Sequence, residues 1–138
     1  RGQPHLSFVF RIHRRLDYVL IASFGGTLGW IVYLLVIPYL SNIISNLCAM
    51  IVVALFSEIM ARICKAPATI FIVVGCFPIV PGKGIYQTML YLISHDQNLF
   101  LDSLFQTVGT ALALATAILI VSTFFKVIKT IKQKDYHL

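Results

Sequence analysis

The residues best able to do chemistry lie in GCFPIVPGKGIYQ, residues 75–87, which sets two prolines, three glycines and a lysine between apolar segments. Pro78 and Pro81 each remove a backbone N–H and clash with the preceding turn, so a helix entering this stretch must stop. Gly82 and Gly84 permit backbone conformations closed to other residues. A helix that restarts here directs unpaired N–H groups and the positive end of its dipole back toward the break. Lys83 adds a full positive charge at the same place. Together these groups suit a carboxylate. Lys83, Gln87 and Tyr91 then recur at helical spacing as a polar stripe, opposed by Ile85, Met89 and Leu92.

The chain around this stretch is built for lipid. Its 138 residues are 59% hydrophobic and 12% charged, whereas a soluble domain carries about 25% charged residues. The chain is read as a single all-α integral membrane domain over residues 1–138, with no separate soluble part. The formal net charge is +6. The basic residues flank apolar spans and form no patch interleaved with aromatics, so nucleic acid is not the expected partner. Cys48, Cys64 and Cys76 are widely spaced and show no metal-ligand or redox spacing. No metal and no cofactor is expected. Motifs for a zinc protease, a serine hydrolase or an aspartate dyad are absent from the sequence, which argues against an enzyme.

A helix needs about 20 apolar residues to cross the hydrocarbon core. Residues 16–40, 43–63 and 104–125 qualify, and 67–94 is long enough but broken. That predicts four spans joined by short loops, with consecutive spans antiparallel. Residues 68–76 rise roughly 14 Å, near half of a ~30 Å core, and the second half rises about 15 Å. The break from Pro78 to Gly84 therefore falls near the bilayer midplane, where irregular backbone is tolerated only inside protein or along a water-filled cavity. Discontinuous helices at that depth are a feature of secondary-transporter binding sites. The competing reading is a proline-kinked packing helix whose lysine extends toward the headgroups.

Direction follows from the basic residues. Arg11, Arg14 and Arg15 precede the first span, Arg62 and Lys65 follow the second, and Lys126, Lys129, Lys132 and Lys134 follow the last. All fall on one side of an alternating topology, so that side and the C-terminus are expected to be cytoplasmic. Arg1 and Lys83 stand outside the pattern. Residues 7–10, SFVF, resemble the last turns of an apolar helix too short to span. They are read as the remnant of a fifth, N-terminal helix that is mostly absent.

Other groups have narrower readings. Gly25 and Gly29 form GxxxG, with Ala22, Gly26 and Tyr33 on the same face, and small residues of this kind let helices approach closely in lipid. Glu58 and Arg62 are i, i+4 neighbours near the cytoplasmic end and are expected to pair. Glu58 and Asp102 are also the candidate proton-coupling carboxylates, since intramembrane acids are functional hypotheses by default. Asp102, Gln106, Thr110 and Ala113 share a face that is either a packing seam or a pathway wall. The C-terminal lysines are read as headgroup anchors.

PIVPGKGIY, residues 78–86, resembles the P-x-x-PG-x-x-x-Y signature of the threonine/serine exporter family, specifically its second membrane module. ARICKAP, residues 61–67, and GGTLGWIVYLL, residues 25–35, are similar to two further stretches of that module. The resemblance covers residues 8–125. It implies a further N-terminal helix, a bacterial inner-membrane location and a larger membrane subunit as partner. It also implies export driven by the proton-motive force, of threonine and serine or, in a two-component version, of succinate. The signature leaves the position of Lys83 open.

Pro78, Pro81, Gly82, Lys83, Gly84, Tyr86 and Gln87 are thus the candidate substrate-binding or pathway residues. The expected function is one subunit of a secondary export carrier for small carboxylate-bearing solutes. Other copies of the chain are a further expected partner. The alternative is a non-transporting structural subunit of a membrane complex.

Overall fold

The computed structural model describes residues 4–136; Arg1 and Gly2 lie outside them. The described residues form helices and short connections, with no strand. The helices are α1 (Pro4–Val36), α2 (Asn42–Cys64), α3 (Ala68–Cys76), α4 (Gly82–Ile93) and α5 (Gln97–Asp135). Three stretches are long and apolar enough to cross a membrane: His13–Val36, Asn42–Cys64 and Gln97–Asp135.

One expectation about the helix ends is corrected. Residues 7–10 are continuous with the first long helix and do not end a separate one, because 11–15 contain no glycine or proline to interrupt it. The C-terminal lysines stand on helix, since α5 runs for 39 residues. At about 1.5 Å per residue it reaches roughly 58 Å, nearly twice the hydrocarbon thickness.

The helix directions constrain the rest of the chain. Gly25 of α1 lies against Phe56, Gly29 against Val53, and the Tyr33 hydroxyl donates to Asn42 Oδ1 at 2.9 Å, so α1 and α2 are antiparallel. Gly109 of α5 lies against Ile43 at one end of α2, and Ser122 donates to Glu58 near the other, so α2 and α5 are parallel. The chain must therefore travel back between the end of α2 and the start of α5. The short helices α3 and α4 make that return, α3 against α1 and α2, and α4 against α5.

Buried residues are mostly small, and large apolar side chains face outward. Ala49, Met50, Val53, Ile79, Leu114 and Ala117 form the central cluster, while Ala22, Ala61 and Phe71 form a second beside α3. Leu20, Leu35, Leu112 and Leu119 are each more than 60% exposed. This inside-out pattern suits lipid, where close backbone approach, not exclusion of oil from water, holds helices together. Gly25, Gly26 and Gly29 are buried at the α1 contacts with α2 and α3.

Helices α2 and α4 stop in the same way without glycine. Lys65 (φ 51) and His95 (φ 57) take the left-handed conformation, and the next N–H in each case bonds five residues back, Ala66 to Ala61 and Asp96 to Tyr91. That geometry is a Schellman stop, which glycine normally supplies. Lys65→Gly and His95→Gly should each stabilise the fold by about 1 kcal/mol, since a side chain in this region costs that much. Thermal unfolding in detergent measures the gain.

Candidate functional site

Helix α3 ends where Pro78 and Pro81 cannot donate to the carbonyls of Val74 and Phe77. The Ile79 and Val80 N–H groups still bond Cys76 O at 2.9 and 3.1 Å, so the turn tightens before it breaks. Pro81 (φ −76, ψ 55) then centres an inverse γ-turn, with the Gly82 N–H on Val80 O at 2.7 Å. Helix α4 starts directly from this turn with no side chain capping it. Unpaired N–H groups of its first turn are thereby left for whatever occupies the space beside them.

That space is a cleft of about 690 Å³ between the α3–α4 connection, α4, α5 and the facing ends of α1 and α2. Pro78, Pro81, Gly82, Lys83, Gly84 and Gln87 all line it, as does Tyr91. Helix α5 contributes Asp102, Gln106 and Thr110 from the predicted polar face, and Ser103 and Thr107 beside it. Ile85, Met89 and Leu92 are exposed on other faces of α4, as the stripe pattern requires. Tyr86 is 67% exposed on the flank of α4 and does not line the cleft.

On α1 and α2 the sequence reading missed the lining residues Trp30, Tyr33, Asn42 and Asn46. Trp30 and Tyr33 of α1 stack at 5.2 Å between ring centroids. Tyr33 shares the Asn42 Oδ1 acceptor with Asn46 Nδ2, which lies at 3.0 Å and also donates to Asn42 O at 2.8 Å. Asn46 is buried, so this network fixes one wall of amide and phenol groups. The available signal was two asparagines one turn apart at the start of an apolar helix.

The glycines differ from expectation. No glycine among the described residues has positive φ. Gly84 is needed for proximity: a Cβ there would lie 2.5 Å from Thr107 Oγ1. Thr88, one turn on, donates to Gly84 O at 2.7 Å and meets Ser103 Oγ at 3.0 Å, which closes the α4–α5 seam. At Gly82 a Cβ would meet nothing within 4 Å.

Glu58 lies at the other end of the molecule, away from Asp102. The expected i, i+4 pair with Arg62 is replaced by contacts to α5, which lies alongside and offers each a partner. Glu58 Oε1 accepts from Ser122 Oγ at 3.4 Å. Arg62 donates to Phe125 O at 3.3 Å, with its guanidinium 4.7 Å from the Phe125 ring centroid.

An apolar exterior on helices long enough to cross a membrane defines a multi-pass membrane protein, and a polar cleft opens into it beside α4. The chain belongs to the threonine/serine exporter family: the family described as "Threonine/Serine exporter, ThrE" matches residues 5–124. It is therefore an exporter-type membrane transport protein, as the motif resemblance implied. No curated protein and no solved structure matches the chain.

Proposed function

We propose that the chain is a membrane subunit of a secondary exporter for a small zwitterionic amino acid, threonine or serine, bound in the cleft beside α4. The observation that carries this is the placement of Lys83 and Asp102 on the walls of one cleft. The substrate carboxylate takes Lys83 and the uncapped N-terminus of α4, and its ammonium takes Asp102. Asn42, Gln87, Gln106 and Thr110 are neutral partners for a side-chain hydroxyl. Succinate fits less well, because a second carboxylate needs a second cation and would meet Asp102. Among the described residues, Lys83 is the one lysine or arginine that lines the cleft.

In this reading α3, the connection and α4 act as one broken span. The return of the chain between parallel α2 and α5 supports it. Support for the depth comes from Ile79, which packs with Val53 in the middle of α2 and with Leu114 in α5. The basic end is cytoplasmic, the C-terminus with it, in a bacterial inner membrane. Alkylation of Gln97→Cys from the outside only, and of Lys65→Cys from the cytoplasm only, is the expected result. Labelling of position 97 from the cytoplasm alone would reverse the orientation.

The same reading includes a larger membrane partner and, with it, other copies of the chain. Helices α3 and α4 leave much of the cleft wall to be completed, and a second groove between α1 and α3, about 660 Å³, also opens outward beside Pro78. Co-purification from mild detergent checks the complex, and full transport by the purified chain alone would refute it.

Flux of threonine, serine and succinate is to be measured in proteoliposomes with the chain and its partner. Threonine or serine should move, and flux should vanish without the chain. Lys83→Met should weaken apparent affinity roughly 10- to 150-fold, the loss of one charge-assisted hydrogen bond. Unchanged affinity would remove Lys83 from the site. Unchanged flux without the chain would leave a structural subunit.

A further inference from the structure

The molecule holds a second polar cleft, at the basic end. It measures about 580 Å³ and lies between the last turns of α2, the start of α3 and α5. Glu58, Arg62, Ser122, Lys126 and Lys129 line it, together with Thr69 in the first turn of α3. Helix α3, like α4, starts with no side-chain cap, so its first N–H groups are free for an acceptor. The Ser122 and Phe125 contacts hold Glu58 and Arg62 in place without neutralising either charge. The central cluster around Val53, Ile79 and Leu114 separates this cleft from the one beside α4.

We propose that this cleft is a second α-amino-acid site, on the cytoplasmic side, where the exported solute is first held. It rests on the export reading above and deepens it. The carboxylate binds Arg62 and Lys126 at the N-terminus of α3, and the ammonium binds Glu58. Both clefts thus offer the same chemistry: a half-helix start, a cation and a carboxylate. A solute loaded here faces the cleft beside α4 across the layer that contains Ile79. Movement of the α3–α4 connection opens that layer, because Ile79 belongs to the connection and to the cluster.

Two reporters separate the clefts. The chain has one tryptophan, Trp30, and it lines the cleft beside α4. Thr69→Cys, in the full chain with Cys48, Cys64 and Cys76 replaced by alanine, reports the basic cleft through alkylation by a neutral maleimide. In nanodiscs that hold the chain with its partner, the Trp30 response being taken as the difference from Trp30→Phe, threonine should protect Thr69→Cys. Lys126→Gln should raise the protecting concentration roughly 10- to 150-fold while leaving the Trp30 response unchanged. Arg62→Gln should act in the same direction. Because Arg62 also packs on Phe125, the exposed Lys126 is the variant that decides.

Glu58→Gln gives the sharper readout. It should weaken threonine and not weaken propionate, which lacks the ammonium group. Equal loss for both ligands would overturn the role of Glu58, and with it the amino-acid site. No protection at Thr69→Cys while Trp30 responds to threonine would overturn the second site and leave the export reading standing. Silence at both reporters would overturn both.

Discussion

Gly84→Leu should abolish flux and leave a chain that inserts but no longer holds α4 against α5. A Cβ at Gly84 already lies 2.5 Å from Thr107 Oγ1, closer than real side chains come. Turning Thr107 away sacrifices the bond its hydroxyl donates to Ser103 O at 2.7 Å. Leucine adds three further carbons to that contact, and overpacking of this kind costs about 1–3 kcal/mol or displaces the backbone. Displacing α4 moves Lys83 and Gln87, since both project from it. Gly84→Ala isolates the cause. In an open helix it would gain about 0.5–1 kcal/mol, so a loss of stability measures the clash alone. Thr107→Ala removes the offending oxygen and should rescue Gly84→Ala. A double-mutant cycle on thermal stability with no coupling between the two positions would show that Gly84 is not held by proximity to Thr107.

Much of the architecture was legible because lipid imposes few solutions. Apolar runs of spanning length predicted the long helices, and the two prolines predicted where α3 stops. The polar spacing of Lys83, Gln87 and Tyr91 predicted the face that α4 turns to the cleft. Less legible were features set by contact between distant segments. Asn42 and Asn46 carried no assigned role, and only the antiparallel return of α1 and α2 brings Tyr33 onto Asn42. Glu58 and Arg62 read as partners on one helix, but α5 runs parallel to α2 and offers each a closer contact. The first turns of α1 were misread as the end of a separate helix, because no glycine or proline marks where α1 continues. The two glycines after the break look alike in sequence. One meets a neighbouring helix and the other open space, and that difference depends on α5 alone.

Gly82→Leu is the complementary experiment, and it should stop transport without harming the fold. A Cβ at Gly82 meets nothing within 4 Å, and no described glycine uses positive φ, so the backbone accepts a side chain there. The γ-turn bond from the Gly82 N–H to Val80 O is a backbone bond and survives the change. Thermal stability should therefore match the parent within about 0.5 kcal/mol, as for a substitution that disturbs no packing. The leucine side chain instead stands at the start of α4, in the space proposed for the carboxylate. A steric cost of roughly 3 kcal/mol there corresponds to about a 100-fold loss in apparent affinity. Gly82→Ala should be nearly silent, because a single methyl leaves the cleft open. Pro81→Ala should be intermediate, since it restores a donor and relaxes the turn without adding bulk. A graded loss from alanine to leucine at position 82, with stability constant, assigns the effect to occupied space. Normal flux in Gly82→Leu would place the pathway elsewhere and return residues 78–84 to the role of a packing kink.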